Sequence, residues 1–81
     1  MNDHELQSRI VINPKVMAGK PVIKGTRLTV QFILGLLAHG ATFEDVMAEY
    51  EGLTREDIQA CHWFASQFLD DTSFVPLPEA V

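Results

Sequence analysis

The sequence predicts a small, mainly α-helical domain in which a bundle of three helices follows a short two-stranded β element. Three observations support this fold class. The chain has 81 residues, enough for one hydrophobic core. Apolar residues recur at helical spacing in three segments between residues 29 and 69, each preceded by a capping residue. Two β-branched runs interrupted by Gly and Pro come before these segments.

The predicted β element lies between residues 9 and 30. The run over residues 9–12 ends in an Asn-Pro turn signal and predicts the first strand. Residues 22–30 are largely β-branched and interrupted by a glycine, so they can pair with the first strand within one chain or across two chains. Because two strands alone are only marginally stable in water, we expect helices or a second chain to cover them.

The first predicted helix begins after Thr29 and ends before Gly40. It is apolar on nearly every side, so its own domain can cover one face and a second copy of the chain is expected to cover another. The single cysteine excludes an internal disulfide in this small domain, which also favours a homodimer. The candidate dimer-interface residues are Phe32 and Leu36 from this helix and Trp63 from the third helix.

The second and third predicted helices are joined by a short, glycine-containing connection. Thr42 caps the second helix, and Thr54 caps the third, with Asp57 three residues later as in a capping box. The predicted inner face of the third helix consists of Ile58, Cys61, Ala65, Phe68 and Leu69. The connection is typical of a helix-turn-helix. If the third helix reads DNA, Arg55 and Gln59 are the side chains suited to base edges.

The charged residues are unevenly distributed along the chain. A formal net charge of −5 argues against simple nucleic-acid binding. However, residues 1–27 contain five basic and two acidic residues, whereas residues 28–81 contain one basic and nine acidic residues. Lys20, Lys24 and Arg27 lie in a glycine-containing hairpin and are candidate contacts for phosphate groups or an acidic partner, a solvated turn being the alternative. The acidic part favours a basic protein partner.

The sequence contains no pattern that indicates catalysis, a metal site or a membrane span. Residues 19–26 end in Lys-Gly-Thr, which is not the order that a phosphate-binding loop requires. The histidines and Cys61 are not at metal-ligand spacing, so we expect no metal, no cofactor and no enzymatic activity, with Cys61 acting as a small buried apolar residue. The polar N-terminus lacks the features of a signal peptide, and the longest apolar run, residues 32–38, is too short to span a bilayer. A cytoplasmic location is therefore expected.

The sequence divides into three parts: a flexible N-terminus over residues 1–8, the helical domain over residues 9–69, and a tail over residues 70–81. The tail is acidic and contains two prolines. Phe74, Val75 and Leu77 are spaced apolar residues, as in segments that become ordered on a partner. A frayed C-terminus is the alternative.

Two motifs resemble those of the bacterial domain of unknown function 433 family. They are Gly-Lys-Pro-Val-Ile-Lys-Gly-Thr-Arg at residues 19–27 and Leu-Thr-Arg-Glu-Asp-Ile at residues 53–58, and the resemblance covers residues 9–68. It implies a homeodomain-like helix-turn-helix and the role of a VapB-like antitoxin. Such a protein binds and neutralises a co-encoded PIN-like ribonuclease toxin, and binding to operator DNA would regulate its own operon.

The tail departs from the pattern that this resemblance implies. Many antitoxins of this kind place an arginine in the acidic site of the nuclease, but the tail after Asp70 has no Arg or Lys. We expect instead that Phe74, Val75 and Leu77 anchor the tail in a groove of the nuclease while Asp70, Asp71 and Glu79 imitate RNA phosphates. Two alternatives stay open: a stand-alone helix-turn-helix DNA-binding regulator, and a structural dimerisation module.

Overall fold

The structure, a computed structural model, describes residues 2–71 of the chain and the side chains up to Leu69. Its elements are α1 (Asp3–Ser8), β1 (Ile10–Val11), β2 (Val22–Ile23), α2 (Val30–Ala38), α3 (Phe43–Glu49) and α4 (Arg55–Asp71). The predicted mainly helical class and the short antiparallel pair of strands are both confirmed. The predicted partner-binding residues Phe74, Val75 and Leu77, and the side chains of Asp70 and Asp71, lie outside the described residues.

The two strands pair antiparallel within one chain, with Ile10 opposite Ile23 and Val11 opposite Val22. Val22 also forms a bridge to Thr29 on the other side of β2, so β2 is the inner strand and β1 is the edge strand. Both residues of β2 are buried, whereas those of β1 are only partly buried. The helices therefore cover the sheet, as a two-stranded element requires.

The connection from β1 to β2 contains three consecutive residues with positive φ. These are Met17 at +50°, Ala18 at +56° and Gly19 at +80°. The left-handed conformation costs a non-glycine residue roughly 1–2 kcal/mol. Hydrogen bonds hold this turn: the N–H of Gly19 donates to the carbonyl of Val16, and the N–H of Lys20 donates to the carbonyl of Met17, both at 3.1 Å.

The threonines predicted to cap α2, α3 and α4 do so. The hydroxyl of Thr29 accepts a hydrogen bond from the backbone of α2. α3 and α4 each begin with a full capping box. Thr42 Oγ1 accepts from the N–H of Asp45 at 3.0 Å and the Thr42 N–H donates to Asp45 Oδ2 at 2.9 Å. Thr54 Oγ1 and N–H make the same pair of bonds with Asp57, at 3.2 and 3.0 Å.

The hydrophobic core lies where β2, α2, α3 and α4 meet. Its buried members are Ile23, Val30, Ile33, Val46, Leu53, Ile58 and Cys61. Ile33, Ile58 and Cys61 are completely inaccessible to solvent. Burial, and to a lesser extent the nearby Asp57 carboxylate, raises the pKa of the Cys61 thiol to about 12. The expectation that Cys61 is a small buried apolar residue is thus confirmed.

Helix α1 occupies residues for which the sequence predicts a flexible N-terminus. Asn2 Oδ1 accepts a hydrogen bond from the N–H of Glu5 at 2.9 Å and so caps the helix, and Asp3 and Glu5 place negative charge in its first turn. α1 packs against α4. Leu6 is the one apolar residue among its six, and it is partly buried. Because α1 has no apolar repeat, its packing on α4 could not be predicted from the sequence pattern.

Candidate functional site

The basic residues predicted to contact phosphate lie at both ends of β2. Lys24 and Arg27 are exposed on a tight turn in which Gly25 has a φ of +81°. Lys20 is also exposed, but it precedes β2 and is four residues from Lys24, a distance of about 13 Å along an extended chain. The structure therefore keeps Lys24 and Arg27 together as a basic turn and separates Lys20 from them.

The basic turn is connected to the start of α4 through Arg9. The N–H of Lys24 donates to the carbonyl of Arg9 at 2.8 Å, and Arg9 Nη1 donates to Asp57 Oδ1 at 3.1 Å. Asp57 belongs to the first turn of α4 and its side chain is 14% exposed. Within residues 2–69, neither Lys24 nor Arg27 forms an ion pair. Their charges are therefore available beside the N-terminal end of α4.

Arg55, predicted as a base contact, is bound to α3. Its Nη2 donates to the carboxylate of Glu44, and its guanidinium lies over the ring of Phe43, 5.1 Å from the centroid. A backbone hydrogen bond and the bond from Arg55 hold the pKa of Glu44 below its ordinary value. Gln59, one turn further along α4, is exposed. Arg55 thus connects α3 to α4. Of the two predicted base contacts, Gln59 is the one whose side chain forms no hydrogen bond or ion pair among the described residues.

The three predicted dimer-interface residues lie on two different surfaces. Phe32 is 44% exposed and packs edge to face on Tyr50, with ring centroids 5.9 Å apart. Phe32 and Leu36 line a groove on α2 that also includes Lys20. Trp63 is partly buried in another groove, between α1, β1 and α4. Its Nε1 is buried and has no hydrogen-bond partner among the described residues.

The C-terminal half of α4 carries an exposed apolar surface where the spacing of apolar residues predicts an inner face. Ile58 and Cys61 are fully buried, but Phe68 is 58% exposed and Leu69 is 65% exposed. The rings of Phe64 and Phe68 lie together, with centroids 5.0 Å apart. The expectation that Phe68 and Leu69 face the core is therefore wrong. Helical spacing shows which side of α4 is apolar, but it does not show that the core ends before Phe68.

Two further properties concern residues 2–71 alone. No group of three or more His, Cys, Asp or Glu side chains in this part of the chain is arranged to hold a metal ion. Nor does any helix in the same part combine the length and the apolar character that crossing a membrane requires.

Comparisons with known proteins agree with the resemblance seen in the motifs. Residues 10–65 match the family described as "Protein of unknown function (DUF433)". The fold is similar to the crystal structure of a DUF433 member protein from Anabaena variabilis, with a TM-score of 0.74 and 32% sequence identity. That alignment covers 84% of this chain and 67% of the other chain. A comparison with curated proteins gave no match.

Proposed function

The chain belongs to the DUF433 family, and we propose that it is an antitoxin that binds and neutralises a co-encoded PIN-like ribonuclease. The observation that carries this proposal is the separation of charge. Lys24 and Arg27 form one exposed basic turn, whereas a group of exposed acidic side chains lies on α3 and on the turn after it. A small domain with two oppositely charged surfaces suits two different partners.

The acidic surface is the one suited to a nuclease. Glu44, Asp45, Glu49 and Glu51 are all exposed on α3 and the turn that follows it. A ribonuclease holds RNA through basic side chains, and these attract an acidic surface before any specific contact forms. We therefore assign this surface to the encounter between the two proteins.

The tail over residues 70–81, whose first two residues end α4, extends the acidic character of the chain. Its three acidic residues are not accompanied by any Arg or Lys. Asp70 and Asp71 would occupy phosphate positions on the nuclease, while Phe74, Val75 and Leu77 would supply the apolar contacts that fix the tail there. This mode of inhibition blocks the RNA path and does not require an arginine in the nuclease site.

Co-expression with the nuclease encoded beside this gene tests the proposal. Expression of the nuclease alone should arrest growth, and the full chain should relieve the arrest and co-purify with the nuclease. A chain truncated after Leu69 should lose most of the affinity. A full-length chain with Asp45→Asn and Glu49→Asn should still form the complex, at a lower association rate and with a weaker salt dependence. Persistent arrest in the presence of the full chain would contradict the antitoxin proposal, and unchanged affinity after truncation would contradict the role of the tail.

We further propose that α3 and α4 form a helix-turn-helix through which the protein regulates its own operon. The basic turn lies beside the first turn of α4, and Gln59 is exposed one turn further along the same helix. In a homodimer, Lys24 and Arg27 from both copies would supply four phosphate contacts. Affinity for a promoter fragment would then fall steeply with salt, with a slope of log K against log salt near −3.6 for about four contacts.

The salt dependence of promoter affinity, measured for the wild type and for a Lys24 variant, tests the proposed binding of operator DNA. Lys24→Gln should make the slope about 1.8 less steep, since the dimer loses roughly two contacts. Absence of promoter binding at low salt, by the protein and by its complex with the nuclease, would exclude autoregulation. A stand-alone regulator is the second candidate, favoured by the position of the basic turn. For that candidate, Gln59→Ala should relax sequence preference, and no neighbouring nuclease should bind.

A further inference from the structure

We propose that the tail binds back onto its own domain across two adjoining grooves, with its apolar residues in the first groove and Glu79 beside Lys20 in the second. The first groove lies between α2 and α4. It is lined by Phe68 and Leu69, which are 58% and 65% exposed. α4 ends at Asp71, two residues after Leu69, so the rest of the tail begins at the edge of this groove.

The first groove continues into a second groove on α2. Gln31 lines both grooves, and Pro21 of the first groove is the chain neighbour of Lys20 in the second. The described side chains that line the first groove are all uncharged, whereas Lys20 is exposed and forms no ion pair within residues 2–69. The surface therefore changes from apolar beside the end of α4 to basic beyond it.

The tail carries the same two kinds of residue in the same order. Apolar Phe74, Val75 and Leu77 come first, and acidic Glu79 follows. The two prolines of the tail favour an extended backbone and remove two N–H groups that would need partners in an apolar groove. This order distinguishes the tail from other apolar partners, because a partner that only buries apolar surface gains nothing from Lys20.

The tail is also long enough to cross both grooves. Residues 72–81 extend over up to about 33 Å. The α2 residues that line the two grooves, from Thr29 to His39, extend over about 15 Å. Because the tail is joined to α4 at the first groove, its effective concentration there is of millimolar order, above that of a separate partner in dilute solution. The docking does not depend on the proposed function, although a nuclease that binds the tail would have to displace it from the grooves.

Disulfide trapping in the full chain tests the position of the tail. Pro78→Cys is combined either with Gln31→Cys, at the junction of the two grooves, or with Gln67→Cys, in the other groove beside Phe68. Gln67 is also exposed and lies about 6 Å before the end of α4, so a tail without a preferred position would reach it readily. A docked tail should form the intramolecular disulfide with Gln31→Cys at least about fivefold faster. Cys61 is buried and does not compete.

A charge reversal tests the pairing of Lys20 with Glu79. Lys20→Glu should slow the trapping at Gln31→Cys at least about twofold, as expected for the loss of an exposed ion pair. Glu79→Lys in the same chain should restore the rate. Lys15→Glu, the same change at another exposed lysine, should leave the rate unchanged. Circular dichroism confirms that each variant is folded.

Three results would overturn the proposal. They are faster trapping at Gln67→Cys than at Gln31→Cys, equal slowing by Lys15→Glu and Lys20→Glu, and absence of rescue by Glu79→Lys. A disulfide-linked dimer in place of a crosslinked monomer would assign the grooves to the tail of a second copy and would also overturn it. None of these measurements involves a nuclease, so their failure is separate from a failure of the antitoxin proposal.

Discussion

Replacing Asp57 with alanine should destabilise the domain more than the same replacement at Asp45. Both aspartates complete a capping box with the threonine three residues before them, through hydrogen bonds of 2.9–3.2 Å. Both lie in the first turn of a helix. They differ in one contact, because Asp57 Oδ1 also accepts a hydrogen bond from Arg9 at 3.1 Å. The comparison of the two variants therefore gives a first measure of the contribution of Arg9.

The expected magnitudes follow from the exposure of the groups. Losing the reciprocal bond of a capping box and a negative charge near a helix N-terminus costs about 1 kcal/mol at either position. The side chains of Arg9 and Asp57 are 36% and 14% exposed, so their ion pair is partly screened and should add about 0.5–1 kcal/mol. Asp57→Ala should therefore lower the free energy of unfolding by about 1.5–2 kcal/mol and Asp45→Ala by about 1 kcal/mol.

Urea unfolding followed by circular dichroism at 222 nm measures the free energy of unfolding of both variants. The comparison requires that this free energy falls with urea concentration at the same slope in each variant. A double-mutant cycle with Arg9→Ala and Asp57→Ala then gives the coupling energy directly, since it removes the difference in helix length between α3 and α4. A coupling near zero, or a smaller loss for Asp57→Ala than for Asp45→Ala, would show that Arg9 does not fasten the N-terminal segment to α4.

Three further predictions concern the core and the contact between α3 and α4. Ile33→Ala should lower the free energy of unfolding by about 2–5 kcal/mol, because Ile33 is completely buried, and a loss below 1 kcal/mol in urea unfolding would contradict its place in the core. Above pH 9 the wild type should lose stability by up to about 1.4 kcal/mol per pH unit relative to Cys61→Ala: the thiol ionises in the unfolded chain near its ordinary pKa of 9.0, whereas folding raises that pKa to about 12. Parallel pH profiles for the two proteins would refute this. Arg55→Ala should lower the free energy of unfolding by less than about 1 kcal/mol, since the pair of Arg55 with Glu44 is exposed. The same variant should inhibit the proposed nuclease partner nearly as well as the wild type. Loss of inhibition would place Arg55 in the interface with the nuclease.

The sequence predicts α2, α3 and α4 because local signals define them. A threonine precedes each helix, and apolar residues recur at its spacing, so capping and amphipathicity point to the same boundaries. The pairing of β1 with β2 also follows from local composition. Whether the strands pair within one chain depends on the connection between them. In this connection Met17 and Ala18 adopt positive φ, which neither residue type indicates in the sequence.

Other features depend on contacts between distant segments and could not be read from spacing. α1 is too short to show a repeat, although Asn2 followed by two acidic residues is the N-terminal signal that could have identified it. Arg55 has the chemistry of a base contact, but its pairing with Glu44 appears only once α3 and α4 are placed side by side. Phe68 continues the apolar spacing of α4, yet the buried core ends before it.

The most direct test of the proposed function is a titration of the PIN-like nuclease that the proposal places beside this gene, with the purified full chain added while RNA cleavage is monitored. The antitoxin proposal predicts that cleavage falls to zero at a fixed stoichiometry, and that a chain truncated after Leu69 inhibits much more weakly. Undiminished cleavage at a large excess of the full chain would contradict the proposal.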